Sequence, residues 1–167
     1  MMLFLTFLTL QAIVGALDNL LHHEITEKLP SHASARTELA LHAARELIYA
    51  GIFLVVAWIA PLGVWAWALL GVLLIEIAIT IADFIEEDRT RTLPPFERAL
   101  HTFLAVNFGI VLCLAAPLWS VWAQQPTGIA LEPRGLFSYF FTLCAFGVGA
   151  WGVRNVIAST ALFAKAR

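Results

Sequence analysis

Two five-residue stretches, Glu38-Leu39-Ala40-Leu41-His42 and Glu97-Arg98-Ala99-Leu100-His101, read alike at four of five positions. Each sets a carboxylate and an imidazole four residues apart, which on a helix means one face and one turn. Each also stands at the mouth of a long apolar run. One such pair would be a curiosity; a second copy 59 residues later predicts a duplicated unit that builds a single site.

Two further pairs share this spacing, Asp18 with His22 and Asp83 with Glu87. Together the four pairs present five carboxylates and three imidazoles at the ends of apolar runs. A carboxylate near hydrocarbon is expensive, roughly 2.5–3.5 kcal/mol at the centre of a span and less near the interface, so a group of them needs a compensating charge. A divalent metal supplies it, and Asp18, His22, Glu38, His42, Glu87, Glu97 and His101 are the candidate ligands. Imidazole and carboxylate suit iron, manganese or zinc, and a set without thiolate or thioether argues against Cu(I).

Glu76 and Asp83 are the catalytic candidates. Seven residues apart on one helix they share a face, with Glu76 deeper by roughly 10 Å, placed to relay a proton or to bond Thr80 or Asn107. His23 points about 100° away from His22 on a helix and reads as a bystander, and His32, beside Pro30 and Ser31, reads as surface. Glu24, Glu27, Glu86 and Asp88 read as solvated interfacial charges, with Arg45, Arg89, Arg91 and Arg98 at hand as partners for Glu46, Glu86, Asp88 and Glu97. Ion pairing, however, requires neither histidine nor a repeated spacing.

The elements that must position these groups are membrane helices. Of 167 residues, 60% are hydrophobic and 13% charged, and the mean hydropathy is +0.83; an average soluble domain is roughly 25% charged. Apolar runs extend over about 3–21, 39–60, 64–85, 99–123 and 136–158, each long enough to cross a hydrocarbon core of roughly 30 Å. If the links between the first and second and the third and fourth runs are cytoplasmic, with the C-terminus, that side holds nine of the ten Lys and Arg residues. Only Arg134 faces the other way, and the N-terminus is outside. The opposite ends carry Trp58, Trp65, Trp67, Trp119 and Trp122 as an aromatic belt. The first run lacks a basic lead and a cleavage site and reads as a retained helix. Cys113 and Cys144 lie inside apolar runs without metal-site spacing and read as small buried hydrophobes.

The repeat extends beyond the pentapeptides. Aligning Leu29-Pro30 with Leu93-Pro94 superposes Thr26 on Thr90 and Glu24 on Asp88, and a one-residue gap brings Asp18 onto Asp83. The expected fold is therefore an all-α integral membrane protein with five transmembrane helices. Residues 1–123 form a four-helix bundle of two hairpins, 1–60 and 64–123, related by a pseudo-two-fold axis. Residues 124–135 form an extracytoplasmic loop, and 136–167 a peripheral fifth helix and cytoplasmic tail. A bacterial inner membrane is the expected location.

The order of the acidic and imidazole residues resembles the di-iron carboxylate proteins of the ferritin-like type, in which two helices give one Glu each and two give Glu-x-x-His. Here the spacing is Glu-x-x-x-His, and the link between the second and third helices is too short for ferritin's crossover. The resemblance implies that Glu38, His42, Glu97 and His101 are paired ligands, completed by Glu87 from the third helix and by His22 or Asp18 from the first. It implies two metal ions, iron favoured over zinc or manganese, and an oxidoreductase acting on a lipid-soluble substrate. A soluble electron donor at the cytoplasmic face and a homo-oligomer or membrane complex formed through the fifth helix are the expected partners. The alternatives are a haem protein with His42 and His101 as axial ligands, a zinc-dependent hydrolase, a metal-handling protein and a structural subunit. No basic run or phosphate loop points to nucleic acid.

Overall fold

A computed structural model describes residues 1–26 and 32–165. Its five long helices are α1 (Met2–Asp18), α2 (Arg36–Trp58), α3 (Val64–Thr90), α4 (Pro95–Ala123) and α5 (Leu136–Lys165). All five are long and apolar enough to cross a membrane. Their outer faces carry leucine, isoleucine, valine and phenylalanine side chains, among them Leu74, Ile75, Val106 and Phe146. For a helix facing lipid this is the expected inversion of soluble-protein packing.

The breaks follow local chemistry. α1 loosens at Asn19 into a π-helical segment, Asn19–Thr26, which displaces its last turn. Pro95 opens α4 at a position where its missing N–H has no acceptor to satisfy. Between α2 and α3 the sequence predicts only a tight turn at 61–63, and between α4 and α5 only a polar loop. The structure instead pairs β1 (Ile59–Leu62) with β2 (Gly128–Leu131) as an antiparallel ribbon in which Ala60 faces Ala130. The ribbon ties the two links together at one end of the molecule.

That ribbon also closes α2. The last carbonyls of a helix have no partner within it and must find one elsewhere. Arg134 donates to the carbonyls of Val56 and Ile59, Ser138 Oγ donates to that of Ala57 at 2.5 Å, and the Glu132 amide donates to that of Trp58 at 2.7 Å. Arg134, the one basic residue the sequence sets on this side, is thus a helix cap, held also by Glu132 at 3.0 Å.

In the packing, α1 lies on α4, α2 lies on α3, and α5 lies along α2. The last contact is the most extensive in the molecule, so α5 is not peripheral. Two glycines explain it. A Cβ at Gly149 would meet Ala50 Cβ at 3.4 Å, and one at Gly152 would meet Leu47 at 3.1 Å, so small residues three apart bring the backbones together. Above them Phe141 stacks on Phe53 with ring centroids 5.6 Å apart, within a core that also holds Leu5, Leu8, Val56 and Val111. Cys113 is exposed on α4, contrary to its expected burial, and Cys144 is partly buried.

Gly63 starts α3 with φ +58°, and a Cβ there would lie 2.6–2.8 Å from Thr127. Gly63→Ala is expected to lower stability by roughly 1–3 kcal/mol, from left-handed strain and the clash together. Gly71→Ala, where a Cβ meets nothing within 4 Å, is expected to leave stability unchanged or raised. Thermal unfolding in detergent checks both.

Candidate metal centre

The charged groups gather at the end of the bundle opposite the ribbon. α1 delivers Asp18 from its last turn, α2 delivers Glu38 from its first, α3 delivers Asp83 and Glu87 near its C-terminus, and α4 delivers Glu97 from its first turn. All five are buried, as are Glu46 and Glu76. Glu38, Asp83 and Glu97 are 0% exposed. Four apolar-faced helices thus turn seven carboxyls inward.

The two repeated motifs converge on one turn of α3. His42 Nε2 lies 3.7 Å from Glu87 Oε1, and His101 Nδ1 lies 3.4 Å from Glu87 Oε2. Arg91, one turn further along, donates to Glu38 Oε1 at 2.9 Å and to Glu97 Oε1 at 2.7 Å. In each copy the histidine therefore faces Glu87 and the glutamate faces Arg91. The aspartates complete the pattern: Asp83 Oδ2 lies 3.4 Å from His42, and Asp18 Oδ2 lies 3.1 Å from His101. Phe84 stacks on the His101 ring at 5.4 Å and sets its plane.

Two groups here have ligand atoms close enough to share a cation, Glu38 with His42 and Glu87, and Glu87 with Glu97 and His101; within each the atoms lie within 4.8 Å of one another. Glu87 belongs to both. A deeper layer supports them. Arg45 Nη1 donates to Asp83 at 2.7 Å, its Nε lies 3.7 Å from Glu76, and Thr80 donates to Glu76 at 2.8 Å. Deeper still, Asn107 donates to Gln11 at 2.7 Å and to the Phe7 carbonyl at 3.1 Å. To one side Glu46 accepts from Asn19 at 2.5 Å and from Asn155 of α5 at 2.9 Å.

Charge decides whether the residues fit a metal. Arg45 and Arg91 are the cations in direct contact with the seven buried carboxyls among the described residues. Even with both histidines protonated, these groups supply four positive charges among the described residues against seven carboxyls. An unpaired carboxylate in an apolar interior is costly enough that it takes up a proton or a cation. Four carboxylate oxygens, Glu38 Oε2, Glu76 Oε2, Asp83 Oδ1 and Glu87 Oε1, are buried without a hydrogen bond. Three of the four belong to the cluster around Glu87, and oxygen with imidazole nitrogen is a donor set for iron, manganese or zinc. The residues fit a metal.

No family model, curated protein or solved structure matches the chain.

Of the candidate ligands, the structure brings together Glu38, His42, Glu87, Glu97 and His101, with Asp18 and Asp83 against the histidines. The His22 side chain lies outside the described residues. Glu76 sits one layer deeper, on Thr80 and near Arg45; its other expected partner, Asn107, bonds α1 instead. Arg45 and Arg91 were expected among interfacial ion pairs, with Glu46, Asp88 and Glu97 among the available acids. The structure keeps the pairing of Arg91 with Glu97, adds Glu38, and turns Arg45 to Asp83. The signal for Arg45 is its place inside an apolar run, where a charge without an inward partner is rare. Arg89 and Glu86, 3.7 Å apart with the arginine largely exposed, do form the expected surface pair.

Burial works against the Arg91 charge, but its hydrogen bonds to Glu97 and Glu38 outweigh this and raise its pKa above the usual arginine value. Removing that cation leaves two buried carboxylates facing one another. Arg91→Met is expected to destabilise the metal-free protein by roughly 3–5 kcal/mol, whereas Arg89→Met changes little. Unfolding of the chelator-treated protein measures the difference.

Proposed function

We propose that the chain is an integral membrane protein whose bundle holds two divalent metal ions, iron favoured, and that it acts as an oxidoreductase on a lipid-soluble substrate. The observation that carries this reading is the sharing of Glu87 by two acid–imidazole groups, one from each copy of the repeated motif. A shared carboxylate between two nitrogen- and oxygen-lined positions suits a pair of metals roughly 3.5–4 Å apart. Two divalent ions would supply four positive charges, close to what the carboxyl surplus needs. The pairing of α1 with α4 and of α2 with α3 supports the duplicated hairpin, since a two-fold axis exchanges the first and third helices and the second and fourth.

Glu38, His42, Glu97 and His101 would be ligands, and Glu87 the bridge. Asp18 holds His101 from its other nitrogen, the arrangement by which an outer carboxylate fixes an imidazole ligand. Asp83 differs: it approaches His42 on Nε2, the same nitrogen that faces Glu87, and Arg45 also holds it. Glu76, hydrogen-bonded to Thr80 and beside Arg45, stands on the inner side of the cluster, where it can pass a proton between the bundle interior and Asp83. Iron in this place would supply one-electron chemistry with oxygen as oxidant. The charged end of the bundle is taken as cytoplasmic, where a soluble donor can deliver electrons.

A second reading has its own observation. Arg91 already spans Glu38 and Glu97 at 2.9 and 2.7 Å, as it would in a metal-free ion-pair network that serves only to hold four helices together. It gains weight from the short reach of both contacts. A haem between His42 and His101 is disfavoured, because both imidazoles lie within 4 Å of the one Glu87 carboxylate.

Elemental analysis of the purified protein is expected to find close to two metal ions per chain, with His42→Ala and His101→Ala each lowering the number. Full retention in the double variant overturns the metal reading, and a metal-free protein with unchanged folding leaves the ion-pair network. The iron-loaded, reduced protein is expected to consume oxygen, and Glu38→Ala or Glu97→Ala to abolish this without unfolding. Orientation is checked separately: cysteine labels at Thr92 should react from the cytoplasm and those at Thr127 from outside.

A further inference from the structure

The two halves of the centre come from copies of one motif, yet they are not bonded alike. Glu97 gives both of its oxygens to Arg91, Oε1 accepting from Nη2 at 2.7 Å and Oε2 from Nη1 at 2.9 Å. Glu38 gives only Oε1, which accepts from Nη2 at 2.9 Å and from Nε at 3.3 Å, and its Oε2 is buried without a hydrogen bond. Glu87 turns Oε1 toward His42 and Oε2 toward His101, and Oε1 too is without a hydrogen bond. Asp83, whose Oδ2 lies 3.4 Å from His42, keeps its Oδ1 open in the same way. The open oxygens of the cluster thus belong to the carboxyls grouped with His42, and neither oxygen of Glu97 is among them.

The asymmetry is written into the repeat. The alignment that sets Leu29-Pro30 on Leu93-Pro94 sets Glu27 on Arg91, so only the second copy carries a cation at that position. Arg91 stands just past the end of α3, its backbone extended at φ −156° and ψ 167°, at the start of the link to α4. Its side chain is 14% exposed, whereas those of Glu38 and Glu97 are 0% exposed. It is therefore the partner that can turn its charged head out to solvent while the carboxyls stay.

Charge and geometry then separate the two positions. A two-point arginine–carboxylate pair is strong and directional, and it sets a positive charge beside any ion that approaches Glu97. A divalent ion can join His42, the open oxygen of Glu38 and Glu87 Oε1 without breaking a hydrogen bond of either carboxylate. The same ion at Glu87, Glu97 and His101 must first displace a guanidinium. That exchange still brings two positive charges for one, which a cluster with more carboxyls than cations favours.

We propose that the two metal positions fill in order, the first ion at Glu38, His42 and Glu87 and the second at Glu87, Glu97 and His101 only when Arg91 withdraws from Glu97. Arg91 is then the gate of the second position, a positioning residue and not a ligand. This rests on the di-metal reading and adds a regulator to it: a chain holding one ion lacks the metal pair on which the proposed chemistry depends.

The test titrates cobalt(II) into the full chain in detergent, stripped of metal by chelator, and reads calorimetry and visible absorption. Two resolved steps of one ion each are expected, the second weaker by at least about tenfold. His101→Ala should lose the weaker step and keep the tighter one, and His42→Ala should lose the tighter. Arg91→Met should tighten the second step by roughly 10–100-fold and the first by much less. Arg91→Lys keeps the charge without the two-point pair, so it should tighten the second step to a smaller degree, and it serves if the methionine variant does not fold. Equal tightening of both steps makes Arg91 a background charge and overturns the proposal; loosening of both makes it a scaffold and does the same. An unchanged second step in folded Arg91→Lys, loss of the tighter step in His101→Ala, or uptake of two ions in a single step also overturns the order, while the di-metal reading stands. No cobalt uptake at all removes both.

Discussion

Seven carboxyl groups buried among apolar helices must find positive charge, and most of what is distinctive in this molecule follows from that. Water solvates a carboxylate strongly, and an apolar helix bundle offers in exchange only hydrogen bonds and counter-ions. Arg45 and Arg91 meet part of the demand, each by joining two helices, and the histidines of the repeated motif lie against Asp18, Asp83 and Glu87. The same demand selects which faces of α1, α2, α3 and α4 turn inward. Their other faces carry large aliphatic side chains, which suit a lipid surround, so charge and hydrophobicity specify the same rotation of each helix.

α2 is the element through which this arrangement is held. It contributes Glu38, His42, Arg45 and Glu46 along successive turns, and it packs on α3 at one side and on α5 at another. Its far end is fastened by Arg134, Ser138 and Glu132, so the C-terminal carbonyls do not fray. Asn155 of α5 reaches Glu46, which couples the fifth helix to the charged end of the bundle. Fastened at its far end and tied to α5 through Glu46, α2 holds its share of the cluster in register with α3.

The polar groups also form a graded column. Gln11 and Asn107 lie deepest, then Glu76 with Thr80, then Arg45 and Asp83, then the pair of motifs around Glu87. Neutral amides occupy the most apolar depth and full charges the end of the bundle, the order that desolvation favours. Such a column supplies proton donors and acceptors beside a reactive centre while leaving the helix surfaces apolar.

The five long apolar helices, and most of the acidic and histidine residues that the structure gathers at one end, were legible in the sequence, because each is a local property. Run length decides whether a helix can cross, and the i, i+4 spacing of Glu38 with His42 and of Glu97 with His101 decides that each pair shares a face. What meets what across helices is not local. That His42 and His101 both face Glu87, that Arg91 bridges Glu38 and Glu97, and that Arg45 turns to Asp83 depend on the rotation and axial register of four separate helices. No single period encodes those settings; they come from the summed packing of many side chains and from the close approach that Gly149 and Gly152 allow. The ribbon of β1 and β2 is of the same kind, since two short links pair only when the helices before and after them bring their backbones within hydrogen-bonding reach.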